Sequence, residues 1–239
     1  MKNTKFNVVT VAMIPMSFEE VEYIAKNLGL PKEEVVRKVM FTKLTKRGAD
    51  IQKRIKERSE LAWNEMQEAK NADYVIINPY GEDDERAWEE PIHGVELVIE
   101  QFLSIIQKYR RKKFLLVLFG PSCVGKGPLW DSVKNKIKEG VVKLSVGKPT
   151  LHVSIETRPI RVEKGERQGH PYIFEPEKVI LSLDREHFVI FDVRGVWQAL
   201  DLYEVEEFLK KNDMVFIEIY YTALPKLREW TKKQSEKSK

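Results

Sequence analysis

The chain has 239 residues and a formal net charge of +4, because its 41 lysines and arginines nearly balance 37 acidic residues. Charges of both signs are interspersed, which argues against a basic arm and against a nucleic-acid partner. The single cysteine, Cys123, excludes a disulfide framework and suits a reducing compartment. No apolar run approaches the roughly 20 residues of a membrane span. We therefore expect a soluble, cytoplasmic protein with no membrane contact. The composition is rich in Lys and Glu, as is common in proteins of thermophilic organisms.

Strands and helices alternate along most of the chain, which predicts an α/β fold with a mostly parallel sheet. Ser17 and Glu20 form a capping-box pattern before the first helix, and Gly29 ends that helix. The first half predicts strand 6–14, helix 18–28, helix 31–41, a basic connection 43–47, helix 50–71, strand 72–78, an acidic loop 80–91 and helix 95–109. The second half predicts strand 114–119, helix 129–139, strands 151–155, 172–174 and 188–193, helix 203–211, strand 214–220 and helix 226–239.

The most specific motif follows the apolar run Phe114 to Phe119, which is typical of a strand covered on both faces. The next residues match G-x-x-x-x-G-K, with Gly120, Gly125 and Lys126 in register. In such a loop, backbone N–H groups turn towards phosphate oxygens and the lysine supplies a positive charge. The alternative interpretation is a glycine turn with no ligand, but the strand before and the helix after it favour nucleotide binding.

The hydroxyl residue that usually follows the lysine is missing, because Gly127 and then Pro128 stand there. The loop therefore has no hydroxyl to offer a magnesium ion at those positions. Cys123 is interpreted as a small loop residue rather than a nucleophile. The candidate nucleotide-binding residues of the loop are Gly120, Pro121, Ser122, Cys123, Val124, Gly125, Lys126 and Gly127.

Two stretches resemble the guanylate kinase family of P-loop nucleoside-monophosphate kinases. Gly-Pro-Ser-Cys-Val-Gly-Lys-Gly at 120–127 resembles the P-loop of that family. Ser-Ile-Glu-Thr-Arg-Pro-Ile-Arg at 154–161, with Gly-Glu at 165–166 and Gly-His-Pro-Tyr-Ile-Phe at 169–174, resembles its GMP-phosphate segment S-x-x-T-R-x-x-R…G-E…G…Y-x-F. A set of this length is more specific than the loop alone.

The C-terminal half of that family has its counterpart at the front of this chain. Residues 9–21, Arg-Gly-Ala-Asp at 47–50, Arg-Ser-Glu-Leu at 58–61 and Ala-Asp-Tyr-Val-Ile-Ile-Asn at 72–78 resemble its later motifs in order. The resemblance thus implies a circular permutation, which is reasonable where old termini lie close together.

The implied fold is a three-layer P-loop NTPase fold with a small NMP-binding-like subdomain and a helical lid. The implied division is a core of 1–23, 60–150 and 212–239, a lid-like helical segment of 24–59 and an NMP-binding-like subdomain of 151–211.

The resemblance also implies roles. Lys126 would hold ATP phosphates, and Arg47 and Arg58 would neutralise charge during phosphoryl transfer. The residues implied to hold the acceptor phosphate are Ser154, Arg158, Arg161 and Tyr172, with Arg158 also catalytic. Asn78 would flank the adenine or merely end a strand, and Glu218 would hold Mg²⁺ through water. Taken without the resemblance, the arginines are equally typical of solvated surface charge.

The positions that would read guanine differ from the family pattern, with Val189, Gln198, Leu200 and Tyr220 in place of its polar residues. Asp192, Gln198 and Asp201 are nearby polar alternatives. We expect an ATP- and Mg²⁺-dependent nucleoside-monophosphate kinase with GMP as the default acceptor, acting as a monomer or dimer. The alternatives are a module that binds a nucleotide or a protein without turnover, and a kinase for another small phosphorylated substrate.

Overall fold

The computed structural model describes residues 7–48, 51–82, 88, 93–147, 154–158, 160, 162, 167 and 173–236. The fold is α/β. Its strands are β1 (Asn7–Ile14), β2 (Tyr74–Ile77), β3 (Phe114–Phe119), β4 (Val146–Gly147), β5 (Ser154–Glu156), β6 (Ile173–Phe174), β7 (Phe188–Val193), β8 (Val196–Asp201) and β9 (Met214–Glu218). Its helices are α1 (Phe18–Leu28), α2 (Lys32–Arg47), α3 (Gln52–Glu68), α4 (His93–Tyr109), α5 (Lys126–Lys138), α6 (Glu177–Ser182), α7 (Leu202–Lys211) and α8 (Leu224–Glu236).

The chain divides into two compact units. The first, here called the glycine-loop unit, comprises Thr10–Lys108 and Leu118–Lys143. The second, the hairpin unit, comprises Met1–Val9, Tyr109–Val117 and Leu144–Lys239. Among the described residues, no helix has the length and apolar character needed to cross a membrane.

One sheet has the strand order β2-β1-β3-β9-β4, with parallel pairing of β1 with β2 and of β4 with β9. The six residues of β3, the middle strand, are all buried. This confirms the prediction of a strand covered on both faces. β2 lies on one side of β1 and β3 lies on the other. The connections from β1 to β2 and from β2 to β3 therefore run in opposite directions across the sheet, which makes a topological switch point beside β1.

The same hydrogen-bond ring occurs at the start of two parallel pairs. Asp73, just before β2, accepts bonds at Oδ2 from the backbone N–H and the hydroxyl of Thr10, at 2.8 and 2.7 Å, and its own N–H donates to Thr10 Oγ1 at 3.0 Å. Asp213, just before β9, accepts from the N–H and hydroxyl of Ser145, both at 2.7 Å, and donates to Ser145 Oγ at 3.0 Å. Each ring ties neighbouring chain segments where the pairing begins.

The helices of the glycine-loop unit follow their sequence signals, with one correction. The capping box of Ser17 and Glu20 is formed, and Gly29 ends α1 in the left-handed conformation. The prediction that residues 43–47 form a basic connection is wrong, because α2 continues to Arg47. The buried stripe of Val36, Met40 and Leu44 runs through that segment at helical spacing.

The hairpin unit contains a second sheet of order β6-β5-β8-β7, in which β5 and β6 are parallel and the β5–β8 and β7–β8 pairs are antiparallel. A two-residue turn joins β7 to β8, with φ of 56° at Arg194 and 79° at Gly195. The backbone twist of such a turn matches the right-handed twist of the two strands that it joins. The sequence did not predict this turn or strand β8, because Arg-Gly is a rarer turn signal than Asn-Gly. Helix α6 and strand β4 were also not predicted. A core of Ile180, Ile190 and Ala199 packs with Leu183, Phe188 and Trp197.

We expect Asp73→Ala to lower the free energy of unfolding by about 1–3 kcal/mol, because the buried backbone N–H of Thr10 loses its acceptor. Urea unfolding measures the change. Asp73→Asn keeps an acceptor oxygen at this position and should cost less than Asp73→Ala. Equal losses in the two variants would contradict the assigned role of the carboxylate oxygen.

The second ring makes stability depend on pH. Hydrogen bonds from the hydroxyl and then the N–H of Ser145 lower the pKa of Asp213 below its ordinary value of 3.8. A carboxyl with a lowered folded pKa stabilises the fold above its unfolded pKa, and that contribution is lost as the pH falls through the folded pKa. We therefore expect the stability advantage of the wild type over Ser145→Ala to shrink as the pH falls from about 5 to about 2. Urea unfolding at each pH tests this, and a constant difference would refute it.

Candidate nucleotide-binding site

The motif of Gly120, Gly125 and Lys126 forms a strand–loop–helix unit. Strand β3 ends at Phe119, and α5 begins at Lys126 with Gly125 as its N-cap at φ 88°. Residues 120–125, here called the glycine loop, include the buried Cys123 in the left-handed region at φ 64°. The loop therefore leads directly into the amino end of α5. At the amino end of a helix, backbone N–H groups and the helix dipole favour an anion.

Packing within the protein requires both glycines of the motif. A Cβ on Gly120, at φ 139°, would lie 2.0 Å from the backbone oxygen of Met13 in β1. A Cβ on Gly125 would lie 2.7 Å from both Asn78 Nδ2 and Trp88 Cζ2. The sequence predicts glycines here because phosphate must approach the backbone, whereas in the structure a Cβ would collide with the residues that support the loop. A Cβ on Gly127, in contrast, would meet no heavy atom within 4 Å.

Lys126 is folded back under the loop. The residue is 6% exposed, and its Nζ donates to the carbonyls of Gly120 at 3.0 Å and Pro121 at 2.8 Å. A buried ammonium at a helix amino end lies against the positive end of the dipole. An anion bound there would interact favourably with both charges.

Asn78 holds the glycine loop from the neighbouring strand end. It is completely buried, and its Nδ2 donates to the carbonyl of Val124 at 2.8 Å. Its Oδ1 accepts from the N–H of Tyr80 at 3.2 Å, and its own N–H donates to the carbonyl of Ile14 at 2.8 Å. The structure thus assigns Asn78 a positioning role that the sequence reading missed, and contact with adenine stays a prediction.

Trp88 is the second support of the loop. Its indole Nε1 donates to the carbonyl of Gly81 at 2.9 Å, and its ring lies against Gly125. The sequence reading found no pattern in 80–91 and missed this residue. The available signal was a single tryptophan within a charged segment, since a large aromatic side chain in polar surroundings often marks a buried anchor.

The arginines predicted to act from the lid lie on two helices. Arg47 is the last residue of α2, where a cation interacts favourably with the dipole, rather than part of the predicted connection 43–47. It pairs with Glu82 at 3.0 Å, and both side chains are less than a quarter exposed. Lys43 on the same helix donates to the carbonyl of Pro79. Arg58 lies within α3 and is half-buried.

The residues predicted to hold an acceptor phosphate belong to the hairpin unit. The Arg158 guanidinium lies over the ring of Phe174, 5.2 Å from its centroid. Ser154 begins β5 opposite Leu200 of β8. Arg161 and Tyr172 lie outside the described residues, so the structure does not place the predicted set of four together.

Two of the four predicted base-reading positions form a buried apolar pair. Val189 of β7 and Leu200 of β8 are direct cross-strand partners, 3% and 1% exposed. Gln198 lies on β8 opposite Phe191. The Arg194 guanidinium lies 4.9 Å from the ring centroid of Tyr220.

The two acidic alternatives have local structural roles. Asp192 accepts from the N–H of Gly195 in the hairpin turn at 2.9 Å. Asp201 caps α7 by accepting from the N–H groups of Tyr203 and Glu204, at 2.9 and 3.1 Å. Asp192 therefore stabilises the hairpin turn, and Asp201 stabilises the first turn of α7.

Glu218, the predicted magnesium residue, is the exposed last residue of β9. In the part of the chain that the structure describes, no group of three or more His, Cys, Asp or Glu side chains is arranged to hold a metal ion.

Removing the Asn78 amide should loosen the loop. We expect Asn78→Ala to lower the free energy of unfolding by about 1–3 kcal/mol, because the buried carbonyl of Val124 loses its donor. Hydrogen exchange should become faster for the amides of 122–126. Asn71→Ala, at an exposed position, should change stability by less than about 0.5 kcal/mol. Unchanged exchange in Asn78→Ala would show that the side chain does not fix the loop.

Comparison with models of protein families gave no match for the chain, and no curated protein matched it either. The interpretation of the site therefore depends on the residues and distances described above.

Proposed function

We propose that this chain is an ATP-dependent phosphotransferase that acts on a nucleoside monophosphate, with GMP as the default acceptor and the guanylate kinase order circularly permuted. The observation that carries the proposal is Lys126, a buried ammonium at the amino end of α5, in a glycine loop that follows a fully buried strand. This combination supports phosphate binding by charge, helix dipole and backbone donors together.

The loop residues fit the triphosphate of ATP chemically. Backbone N–H groups of the glycine loop would donate to phosphate oxygens, and Lys126 would exchange its bonds to Gly120 and Pro121 for phosphate. Bound ATP would supply the phosphoryl group that is transferred. Because Asn78 and Trp88 already hold the loop, little reorganisation is needed on binding.

The arginines would supply the charge that phosphoryl transfer needs. Arg47 would leave Glu82 for a phosphate oxygen, and Arg58 would contribute a second cation. Arg158 would hold the acceptor phosphate through its guanidinium, in a bidentate arrangement that suits phosphate.

A specific observation favours a second candidate, binding without efficient guanylate transfer. A pocket that reads guanine must accept hydrogen bonds from its N1 and N2, and the buried pair of Val189 and Leu200 has no side-chain acceptor. An unmatched polar edge loses much binding energy. An acceptor whose binding does not depend on a guanine base would not need a side-chain acceptor at this pair.

A thermal-shift screen with Mg-ATP, ADP, each nucleoside monophosphate and several sugar phosphates tests the proposal, because a ligand that binds the native state stabilises it by mass action. We expect ATP to stabilise the wild type but not Lys126→Ala, and one monophosphate to stabilise the wild type but not Arg158→Ala. A coupled phosphotransfer assay then follows for that pair. Absence of any ATP-induced shift would overturn the kinase proposal.

Gly127 allows a sharper test of magnesium use. A side chain fits there, so Gly127→Ser adds the missing hydroxyl without a clash. We expect Gly127→Ser to raise the magnesium-dependent affinity for ATP by about tenfold, through an oxygen that faces a charged ligand. Gly127→Ala adds the same Cβ without the hydroxyl and is the matched control. Equal affinities in the Ser and Ala variants would show that the ion is held elsewhere.

A further inference from the structure

The hairpin unit contains a cleft of about 590 Å³ between α8, the start of β7 and the start of α7. This volume lies within the range of small-molecule sites. The cleft is separate in sequence from the glycine loop, and none of the predicted ATP or acceptor-phosphate residues lines it, although the predicted base-reading position Val189 does. Its walls combine apolar surface and charge.

The apolar wall is formed by Val189, Leu202 and Trp230, which are 3%, 3% and 8% exposed. Tryptophan and branched aliphatic side chains of this kind contact the ring or chain of a bound molecule. The wall is therefore suited to the apolar body of a ligand.

The charged lining is unbalanced in favour of cations. Glu229 pairs with Lys233 at 2.9 Å, and that hydrogen bond lowers the pKa of Glu229. The bond to Glu229, and more weakly the charge of Glu186, raise the pKa of Lys233, so both acids of the lining interact with the same lysine. Arg185 and Lys226 are left as the two cations of the cleft.

Arg185 and Lys226 line the same cleft. Burial, and then the positive charge of the Arg185 guanidinium, lowers the pKa of Lys226. The Lys226 ammonium donates to the carbonyl of Ile190, a neutral partner. Within the described part of the chain, Arg185 has no hydrogen bond or ion pair to a carboxylate. An anion placed between the two cations would relieve their repulsion.

We propose that this cleft binds a small organic anion, with its apolar body on Trp230 and Val189 and its phosphate or carboxylate group facing Arg185 and Lys226. The charged end would be gripped by a guanidinium fork and an ammonium, which form short charge-assisted hydrogen bonds. The proposed binding would not require a nucleotide at the glycine loop.

Isothermal titration calorimetry on the full chain tests this with three probes: phenyl phosphate, benzoate and inorganic phosphate. We expect at least one of the two aromatic anions to bind with a Kd below about 1 mM. Inorganic phosphate lacks an apolar body and should bind at the cleft about tenfold more weakly. The stronger aromatic probe identifies the preferred head group.

Variants assign the binding to the cleft. Arg185→Gln should weaken the aromatic probe by about tenfold or more, because a charge-assisted bond is lost. Arg185 is exposed on a turn, so this variant should melt like the wild type. Lys226→Met should weaken binding similarly, provided its melting curve shows a folded protein. Lys232→Met removes the same charge from an exposed position of α8 outside the cleft and should leave affinity unchanged.

Lys126→Ala separates this site from the proposed ATP site. Probe binding that survives Lys126→Ala but fails in Arg185→Gln supports the cleft, whether or not ATP binds the wild type. Two results would overturn the proposal: neither aromatic anion binds below about 1 mM, or Arg185→Gln changes affinity less than twofold. Binding lost only in Lys126→Ala would assign the probe to the glycine loop instead.

Discussion

The glycine-loop unit depends on how tightly the loop is seated against the strands beside it. Gly120 has no room for a single methyl group beside the backbone oxygen of Met13, and Gly125 has none beside Asn78 and Trp88. Close packing of this kind leaves the loop few alternative conformations. The amino end of α5 and Lys126 are consequently placed by the covalent chain and by the strand ends, before any ligand arrives. A loop fixed in this way would not need to become ordered in order to bind the anion proposed for it.

The two Asp–Ser/Thr rings stabilise the sheet of order β2-β1-β3-β9-β4 in the same way at two places. In both, an aspartate that precedes a strand accepts two bonds from one residue of the neighbouring segment. Parallel strands lack a hairpin to set their register, so side-chain bonds at the start of a pair can define it. The rings involve exposed or half-buried carboxylates, and their value lies in geometry more than in net energy.

The sequence predicted the elements whose apolar pattern was continuous. β3 was predicted to the residue, and α1 was predicted with its cap and its terminal glycine, because these signals are local. The end of α2 was missed because Lys and Arg around Leu44 masked one buried position of a regular stripe. β8 was missed because its turn uses Arg194, a residue that rarely adopts a positive φ. For the site, Lys126 and the loop were found from their motif, whereas the contacts of Asn78, Glu82 and Trp88 depend on chain segments distant in sequence.

The bonds from Thr222 and Lys226 to the carbonyls of Asp192 and Ile190 have a consequence for solubility. β7 is the outermost strand in the described order of its sheet, and an outermost strand with open carbonyls can recruit a strand from another molecule. The segment from Thr222 through the first turn of α8 occupies two of these acceptors. A shortened protein that ended before residue 222 would leave these two carbonyls of β7 open, and we expect it to self-associate more readily than the full chain.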